Sequence, residues 1–268
     1  MWQEAADPRH QARMHSAEGK WAGAWLHAMP RIACFRFTDQ EFTTAIKLRL
    51  GTAHHTVSPL ARCRCEQLVD ITGHHYMACK FGFHRSLRHD HVARVTAQFL
   101  RAVGMQARLT GLDDILPRDS GGARLVPDVY GGSSPTRSRP VAIDVSVTHP
   151  CADAYMTAAA VTPGVTAQKR ETVKIKKYKA AADAAGVDFV PVIFETYGKP
   201  GEQLEKWFKD EVKEMGKEAD ADIRDQEGGS WTADTFGAFW KQRFSVALQK
   251  GNAHMICMRG ARDSATPY

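Results

Sequence analysis

The sequence predicts an α/β fold whose main elements follow the order helix, strand, strand, strand, helix, strand. Apolar residues recur at helical spacing on both sides of a central region, and inside that region apolar and polar residues alternate over short segments. With 268 residues, 43% of them hydrophobic, the chain is long enough for one large domain with appendages. Its apolar runs are far shorter than the about 20 residues of a membrane span, and its N-terminus lacks an apolar signal core. We therefore expect neither a membrane-spanning nor a secreted protein.

The N-terminal part of the chain is predicted to hold an arm and one short helix. Residues 1–30 show little periodicity, which predicts a partly ordered arm. Thr38 and Glu41 have the spacing of a capping box, and Gly51 suits the end of a helix. This pattern predicts a helix over 39–50.

The first core helix and three strands are predicted next. Apolar residues recur at helical spacing from His89 to Gly104, with basic residues between them, which indicates an amphipathic helix. Three segments then have strand character, 105–110, 124–130 and 140–148, and residues 131–140 form a loop by composition. In the third segment apolar residues alternate with polar ones, so Asp144, Ser146 and Thr148 should share the face that points away from the core.

The remaining elements are a lysine-rich helix, a buried strand and two further helices. The lysine-rich helix covers 166–185 and is closed by Gly186, and the strand covers 187–196. Pro191 interrupts that strand, which predicts an edge position or a bulge. The last two helices are predicted over 201–218 and 233–250.

The net charge of +6 averages two unlike regions. Residues 199–227 contain six Lys/Arg and ten Asp/Glu, a net charge of −4, so the rest of the chain carries +10. A basic excess of this kind favours a polyanionic partner such as nucleic acid, although it also serves solubility.

A cluster of cysteine and histidine predicts a metal site between 52 and 83. Cys63 and Cys65 are followed by Cys79, with His74 and His75 shortly before it. Three thiolates and one imidazole are a ligand set that Zn²⁺ takes in structural sites, and either histidine could be the ligand. The other cysteines, Cys34, Cys151 and Cys257, are interpreted as ordinary small buried residues. Six cysteines at such spacings do not form a disulfide framework in a chain of this length, which indicates a reducing compartment.

Two aspartates on neighbouring predicted strands form the second candidate site. Asp128 and Asp144 are 16 positions apart, so a hairpin would bring both carboxylates to one edge of the sheet. Carboxylates that lie close together favour a cation between them, and Mg²⁺, or Mn²⁺ in its place, suits such oxygen ligands. An ordinary surface position is the alternative for Asp128. An ordinary surface position is disfavoured for Asp144, because this residue interrupts the most apolar strand.

Basic residues on two helices are candidate partners of these carboxylates. Lys174 and Lys177 project on one face of the lysine-rich helix with Tyr178 beside them, and either lysine could stabilise charge at a phosphate. A solvated helix face is the alternative for a lysine run. Arg88, His89 and Asp90 form a triplet just before the first core helix. This triplet could place a cation or a general base near a phosphate, or it could cap the helix. Candidate contacts to a nucleic-acid backbone are Arg88, His89 and Arg94.

With these residues in view, the chain resembles the C-terminal part of non-LTR retrotransposon polyproteins that carry a restriction-endonuclease-like nuclease of the PD-(D/E)xK superfamily. The resemblance covers about residues 23–260. It rests on these segments in order: AGAWL at 22–26, TDQEF at 38–42, CRC at 63–65, GHHYMAC at 73–79, RHDHV at 88–92, VPDVY at 126–130, AIDVSVTHP at 142–150, KIKKY at 174–178 and FVPVIFETYG at 189–198.

The resemblance implies a domain plan for the whole chain. Its parts are a linker-like helical arm over 1–51, a CCHC-like zinc knuckle over 52–84, an αβββαβ restriction-endonuclease-like core over 85–200, and C-terminal helices over 201–268 that pack on the core.

The resemblance also implies the roles of the site residues. Asp128 and Asp144 would hold the catalytic Mg²⁺, and the structural Zn²⁺ would be bound by Cys63, Cys65, His75 and Cys79, with His75 preferred over His74. The superfamily pattern places its lysine two residues after the second acid, where this chain has Ser146. The retrotransposon branch takes the lysine from the following helix, which maps the role onto Lys174 or Lys177 with Tyr178 alongside.

The implied function is a metal-dependent DNA endonuclease that nicks one strand of a target duplex inside the cell, in the nucleus. Element RNA is a second candidate partner. The sequence contains no reverse-transcriptase motif, so we expect either a piece of a longer polyprotein or a stand-alone relative. The alternative function is a nucleic-acid-binding protein that uses the knuckle and the basic helices without cutting.

Overall fold

The computed structural model describes residues 7–30, 32–54, 57, 62–81, 84–133, 138–215 and 231–263. Within these ranges the helices are α1 (Pro8–Ala17), α2 (Asp39–Leu50), α3 (His74–Ala78), α4 (His84–Ala102), α5 (Asp153–Val161), α6 (Val165–Ala184), α7 (Glu202–Met215) and α8 (Phe236–Asp263). The strands are β1 (Ala107–Arg108), β2 (Val129–Gly131), β3 (Val141–Thr148) and β4 (Asp188–Glu195).

The four strands form one mixed sheet in the order β1-β2-β3-β4. The first three are antiparallel neighbours, whereas β4 runs parallel to β3 and is reached through α5 and α6. The protein is therefore a mixed α/β fold, as the sequence predicts at that level. Pro191 lies in an edge strand and pairs opposite Asp144 without a bulge, because an edge strand tolerates a residue that lacks a backbone N–H.

Both faces of β3 are buried, each against different helices. Val141, Ile143 and Val145 belong to the large core that also contains residues of α4, α7 and α8. Ala142 belongs to a smaller cluster with residues of α6. The polar residues that follow Ala142 at alternate positions share its face, as the sequence predicts. That face is covered by α6, so Asp144 is buried although it points away from the main core.

The large core is rich in aromatic side chains. Phe99 of α4 stacks on Phe208 of α7, with ring centroids 5.1 Å apart, and meets Trp240 of α8 edge to face at 5.4 Å. Such pairs add to the apolar area that is buried. Helices α7 and α8 thus pack on the same side of the sheet as α4. Helix α6 covers the opposite side.

Helix α2 begins and ends where the sequence predicts. The Thr38 hydroxyl accepts a hydrogen bond from the backbone N–H of Glu41, and the Glu41 carboxylate accepts one from the backbone N–H of Thr38. Gly51 ends the helix with φ of 70°, a left-handed conformation that glycine adopts without strain. The predicted range 39–50 is confirmed.

The first two strands are shorter than the sequence predicts, for a local reason in each case. The backbone N–H of Met105 bonds to the carbonyl of Leu100, so the predicted start of β1 completes the end of α4 instead. The predicted second strand, 124–130, pairs only from Val129 onward. Pro127 has no N–H to donate, and the Asp128 carboxylate accepts the N–H of Val145 that a longer strand would have bonded.

The helices also differ from their predicted bounds. Helix α4 begins at His84, five residues before the predicted start, and α1, α3 and α5 are absent from the prediction. Helix α1 lies within residues 1–30, which were expected to form a partly ordered arm. Of the predicted helix 201–218, residues 202–215 are helical and 216–218 lie outside the described residues. The last helix extends to Asp263 rather than residue 250, and α6 matches its predicted range to within one residue. Of the predicted loop 131–140, residues 134–137 lie outside the described residues.

Candidate functional site

A cleft of about 570 Å³ lies where α4, β3 and α6 meet. Asp128, Asp144 and Lys174, which the sequence analysis selected from three separate segments, all line it. Basic side chains from the knuckle and from two helices complete its wall: Lys80, Arg85 and Arg170. The topology therefore brings the two predicted aspartates and one of the two predicted lysines to a single place.

Asp144 is buried in the middle of β3 and forms an ion pair with Lys174. The Nζ atom of Lys174 lies 2.5 Å from Oδ1 of Asp144, and only 12% and 4% of the two side chains are exposed. Burial raises the pKa of Asp144 above its usual value, and the Lys174 ammonium counteracts part of this rise. The pair is held in place because α6 packs on the polar face of β3.

Asp128 lies just before β2 and is held from two directions. Its Oδ2 atom accepts the backbone N–H of Val145 at 2.6 Å and lies 3.0 Å from Nε2 of His89. The other ring nitrogen of His89 lies 3.1 Å from Oδ1 of Asp90. Burial lowers the pKa of His89, but its hydrogen bonds to the two aspartates outweigh burial and raise the pKa to about 9. His89 is therefore a cation between two carboxylates.

Lys177 and Tyr178, the other predicted residues of α6, do not line the cleft. Lys177 is exposed, and its Nζ atom donates to the Tyr178 hydroxyl at 3.2 Å. Tyr178 is buried, and its hydroxyl donates to the carbonyl of Val126 at 3.3 Å. Burial and the nearby Asp144 carboxylate raise the pKa of Tyr178 well above its usual value, so it stays a neutral phenol. Of the two candidate lysines, Lys174 is the one that forms an ion pair with the Asp144 carboxylate.

Arg170 is a cleft residue that the sequence analysis counted only as part of a basic run. Its Nε atom donates to the hydroxyl of Ser146 at 3.0 Å. Arg170, Lys174 and Tyr178 are spaced four residues apart on α6, so they share one helix face. This four-residue spacing could have identified Arg170 as a candidate from the sequence.

The other predicted nucleic-acid contacts lie in different surroundings. Arg88 is only 2% exposed, and its guanidinium donates to the Asn252 side chain at 2.8 Å, which joins α4 to α8. Arg88 also lines the cleft, so its role as a contact to a nucleic-acid backbone stays a prediction, although most of its side chain is buried. Arg94 is exposed on α4. The triplet with His89 and Asp90 lies within α4, not before it, and therefore does not cap the helix.

The predicted cysteine and histidine ligands come together in the knuckle. The ligand atoms of Cys63, Cys65, His75 and Cys79 all lie within 4.8 Å of one another. The sulfur atoms of Cys63 and Cys79 are 3.8 Å apart, which matches the about 3.8 Å edge of a tetrahedron with Zn–S bonds of about 2.3 Å. This cluster could hold a structural zinc ion.

Local structure explains why His75, and not His74, faces the zinc cluster. His75 and Cys79 are one helical turn apart, and the N–H of Cys79 bonds to the carbonyl of His75. The Asp70 carboxylate accepts the backbone N–H groups of His74 and His75 and thereby fixes the start of α3. His74 points to the opposite side of the helix, where its Nδ1 atom lies 3.3 Å from Nε2 of His149.

No protein-family model matches this chain, and no curated protein matches it. In the part of the chain that the structure describes, no helix is both long and apolar enough to cross a membrane.

Proposed function

We propose that this chain is a metal-dependent DNA endonuclease that nicks one strand at the cleft between α4, β3 and α6. The observation that carries the proposal is the meeting of Asp128, Asp144 and Lys174 in one cleft with a basic wall. Two carboxylates can hold a divalent cation and a lysine can stabilise charge on a phosphate, which together suit phosphodiester hydrolysis. The restriction-endonuclease-like arrangement of the core and a place beside a reverse transcriptase are parts of the same proposal.

The side chains present fit a divalent cation at this cleft. Carboxylate oxygens are the ligands that Mg²⁺ prefers, and Asp128 and Asp144 both line this cleft. These two residues would hold the ion. When bound, Mg²⁺ or Mn²⁺ supplies an activated water and neutralises charge on the phosphate.

The basic residues of the chain have separate tasks in this proposal. Lys174, which forms an ion pair with Asp144, stabilises the negative charge that develops on the phosphate. Arg170 is oriented by Ser146, and with Lys80 and Arg85 it binds the phosphate backbone of the DNA on either side of the cleft. His89 fixes the orientation of Asp128 through its 3.0 Å contact.

The knuckle contributes to DNA placement through its position next to the cleft. Lys80 directly follows the last cysteine of the zinc cluster and also lines the cleft. A structural zinc ion at Cys63, Cys65, His75 and Cys79 would therefore fix one wall of the DNA-binding surface.

A plasmid assay tests the proposal. Supercoiled plasmid is incubated with the protein and Mg²⁺, with Ca²⁺ in place of Mg²⁺, or without added metal, and open-circle product is measured. We expect nicking with Mg²⁺ only. Asp144→Asn should reduce the rate by about 100-fold or more. The matched control is Asp183→Asn, which changes an exposed carboxylate on the same helix as Lys174 and should leave the rate unchanged.

The competing function is a protein that binds DNA or RNA without cutting it. One observation favours it: both carboxylates already have cationic partners, Lys174 on Asp144 and His89 on Asp128. A mobility shift of the plasmid without conversion to open circle would support this alternative. Nicking by the Asp144→Asn protein at the wild-type rate would overturn the assignment of the site.

A further inference from the structure

A second group of metal-ligand side chains lies behind the knuckle, apart from the cleft. The ligand atoms of His74, His149 and Cys151 all lie within 4.8 Å of one another. The three residues come from α3 and from the segment between β3 and α5, and the Tyr197 hydroxyl borders them after β4. Neither the proposed nuclease function nor the knuckle uses them.

The hydrogen bonds of His149 fix which of its nitrogens faces the group. The Thr196 hydroxyl donates its proton to the carbonyl of Thr148 at 3.0 Å. It therefore accepts from Nδ1 of His149, which lies 3.2 Å away. Nδ1 carries the proton, and Nε2 presents its lone pair towards His74. Histidines that bind metals are commonly oriented in this way, by a hydrogen bond from the other ring nitrogen.

The distances within the group match those between neighbouring ligands of one ion. Nδ1 of His74 and Nε2 of His149 are 3.3 Å apart, and a tetrahedral ion with Zn–N bonds of about 2.0–2.1 Å has an edge of about 3.3–3.4 Å. The Tyr197 oxygen lies 3.1 Å from Nδ1 of His74 and 3.6 Å from Sγ of Cys151, so it faces the fourth side.

The group is buried among packed side chains. His149 is 6% exposed and Cys151 2% exposed. Cys151 and Tyr197 belong to the same apolar cluster as Met77 of α3 and Met255 of α8. Two imidazoles and a thiolate form a ligand set typical of Zn²⁺ and of other metals that accept sulfur.

We propose that His74, His149 and Cys151 bind a second zinc ion, with the Tyr197 oxygen at the fourth side. Consecutive histidines of α3 would then serve two ions, His75 in the knuckle and His74 at the sheet. The second ion would join the knuckle to the end of β3 and so fix its position on the core. On binding, the Cys151 thiol releases its proton to solvent and the thiolate becomes the ligand.

The same side chains also form a complete hydrogen-bonded network without metal. In that network His74 donates to His149, the Cys151 thiol donates to the Arg9 carbonyl at 3.4 Å, and the Tyr197 hydroxyl donates to the Cys151 sulfur. A direct count of bound zinc therefore decides between a metal site and a metal-free hydrogen-bonded network.

The test is the zinc content of the purified full chain, measured by mass spectrometry after loading with Zn²⁺ and desalting. We expect two zinc ions per chain, one for each cluster. Cys151→Ala should reduce the content to one, whereas Cys34→Ala, which changes an exposed cysteine outside both clusters, should leave it at two. One zinc per chain in the wild type, or a content of two that Cys151→Ala does not change, overturns the proposal.

X-ray absorption at the zinc edge of the wild type keeps the proposal testable if the Cys151 variant does not fold. The knuckle cluster has three cysteines and the second cluster has one, so two occupied sites average two sulfur ligands per zinc. The knuckle alone would give three. An average of two supports the second site, and an average of three overturns it.

Discussion

At the residue scale, the ion pair between Lys174 and Asp144 is the most consequential contact of the cleft. It joins α6 to the middle of β3, and both side chains are largely buried. An ion pair in such a place adds little stability over an apolar pair, but the loss of one partner leaves a buried charge without compensation. The exposed Lys177 offers a matched comparison three residues away on the same helix.

We expect Lys174→Met to lower the free energy of unfolding at pH 7 by about 3 kcal/mol. Lys177→Met should lower it by less than about 1 kcal/mol, because Lys177 makes only a surface contact with Tyr178. Urea unfolding of both variants and the wild type measures the difference. Equal losses in the two variants would mean that the buried pair does not contribute as described.

The same variant should show a defined pH dependence. Burial already raises the pKa of Asp144 above its unfolded value, and the loss of Lys174 raises it further. An acid whose folded pKa is raised stabilises the protein at pH values below its unfolded pKa, and this contribution is lost as pH rises through the folded pKa. The loss of unfolding free energy in Lys174→Met, relative to the wild type, should therefore become smaller as the pH falls from 7 towards 4. A loss that is constant over this range would argue against a charged Asp144 as its cause.

The residues of the cleft were predictable to different degrees. Asp144 was found because a carboxylate in an apolar strand is rare, and the structure places it at the cleft with Asp128. The choice between Lys174 and Lys177 was left open by helical spacing alone, since both lie near one face. The burial of Arg88 could not be predicted, because its partner Asn252 is 164 positions away in the sequence.

At the element scale, the start of α7 depends on a side chain from α6. The Oε1 atom of Glu171 accepts the backbone N–H of Gln203 at 2.9 Å, and Glu171 is only 4% exposed. It thus acts as an N-terminal cap that comes from a neighbouring helix instead of the preceding residue. Gly201 leaves the space for this contact, because a Cβ atom there would lie 2.1 Å from Oε1 of Glu171.

We expect Glu171→Ala to lower the free energy of unfolding by about 1–2 kcal/mol, since it removes the acceptor of a part-buried N–H at the start of α7. Glu171→Gln keeps a carbonyl acceptor and should cost less. Gly201→Ala should also destabilise the protein, because it displaces the Glu171 side chain.

A double-mutant cycle tests the link between these two residues. Chemical unfolding of both single variants and of the double variant gives the coupling energy. Gly201→Ala should cost less in the Glu171→Ala background than in the wild type. Additive losses would show that Gly201 acts through something other than Glu171.

The secondary structure was predictable where its signals are local. Helix α2 carries its own capping box and C-terminal glycine, and the full predicted range is observed. Strand β2 is shorter than predicted because the side chain of Asp128 takes the N–H of Val145, a contact that no propensity describes. Helix α5 was missed because the segment 153–161 is short and rich in alanine, without a clear apolar stripe.

At the scale of the whole molecule, the apolar side chains of the knuckle belong to a different cluster from the main core of the sheet, one that they share with α1, α2 and α8. Val57, Cys63, Tyr76 and Met77 belong to one apolar cluster, whereas β3 and β4 contribute to another that is larger and aromatic. A small segment with few apolar side chains of its own depends more strongly on a metal ion for its order.

Removal of zinc should therefore loosen the molecule unevenly. After treatment with a zinc chelator, we expect hydrogen exchange to accelerate over residues 62–81, while β3 and β4 keep their protection. Mass spectrometry of exchanged peptides measures both regions in one experiment. Unchanged exchange over 62–81 would contradict a structural zinc ion, and simultaneous loss of protection in the sheet would contradict two separate apolar clusters.

The sequence by itself determined the features that depend on neighbouring residues: the bounds of α2 and α6, the alternation along β3, and the ligand types of the knuckle. Only the tertiary structure decided which of these residues meet. It placed Lys174 on Asp144 and buried Arg88 against Asn252, and it brought His75, which the resemblance had already preferred, to the three cysteines. The physical reason is that burial and pairing across long separations depend on how helices pack on the sheet, and local spacing does not specify that packing.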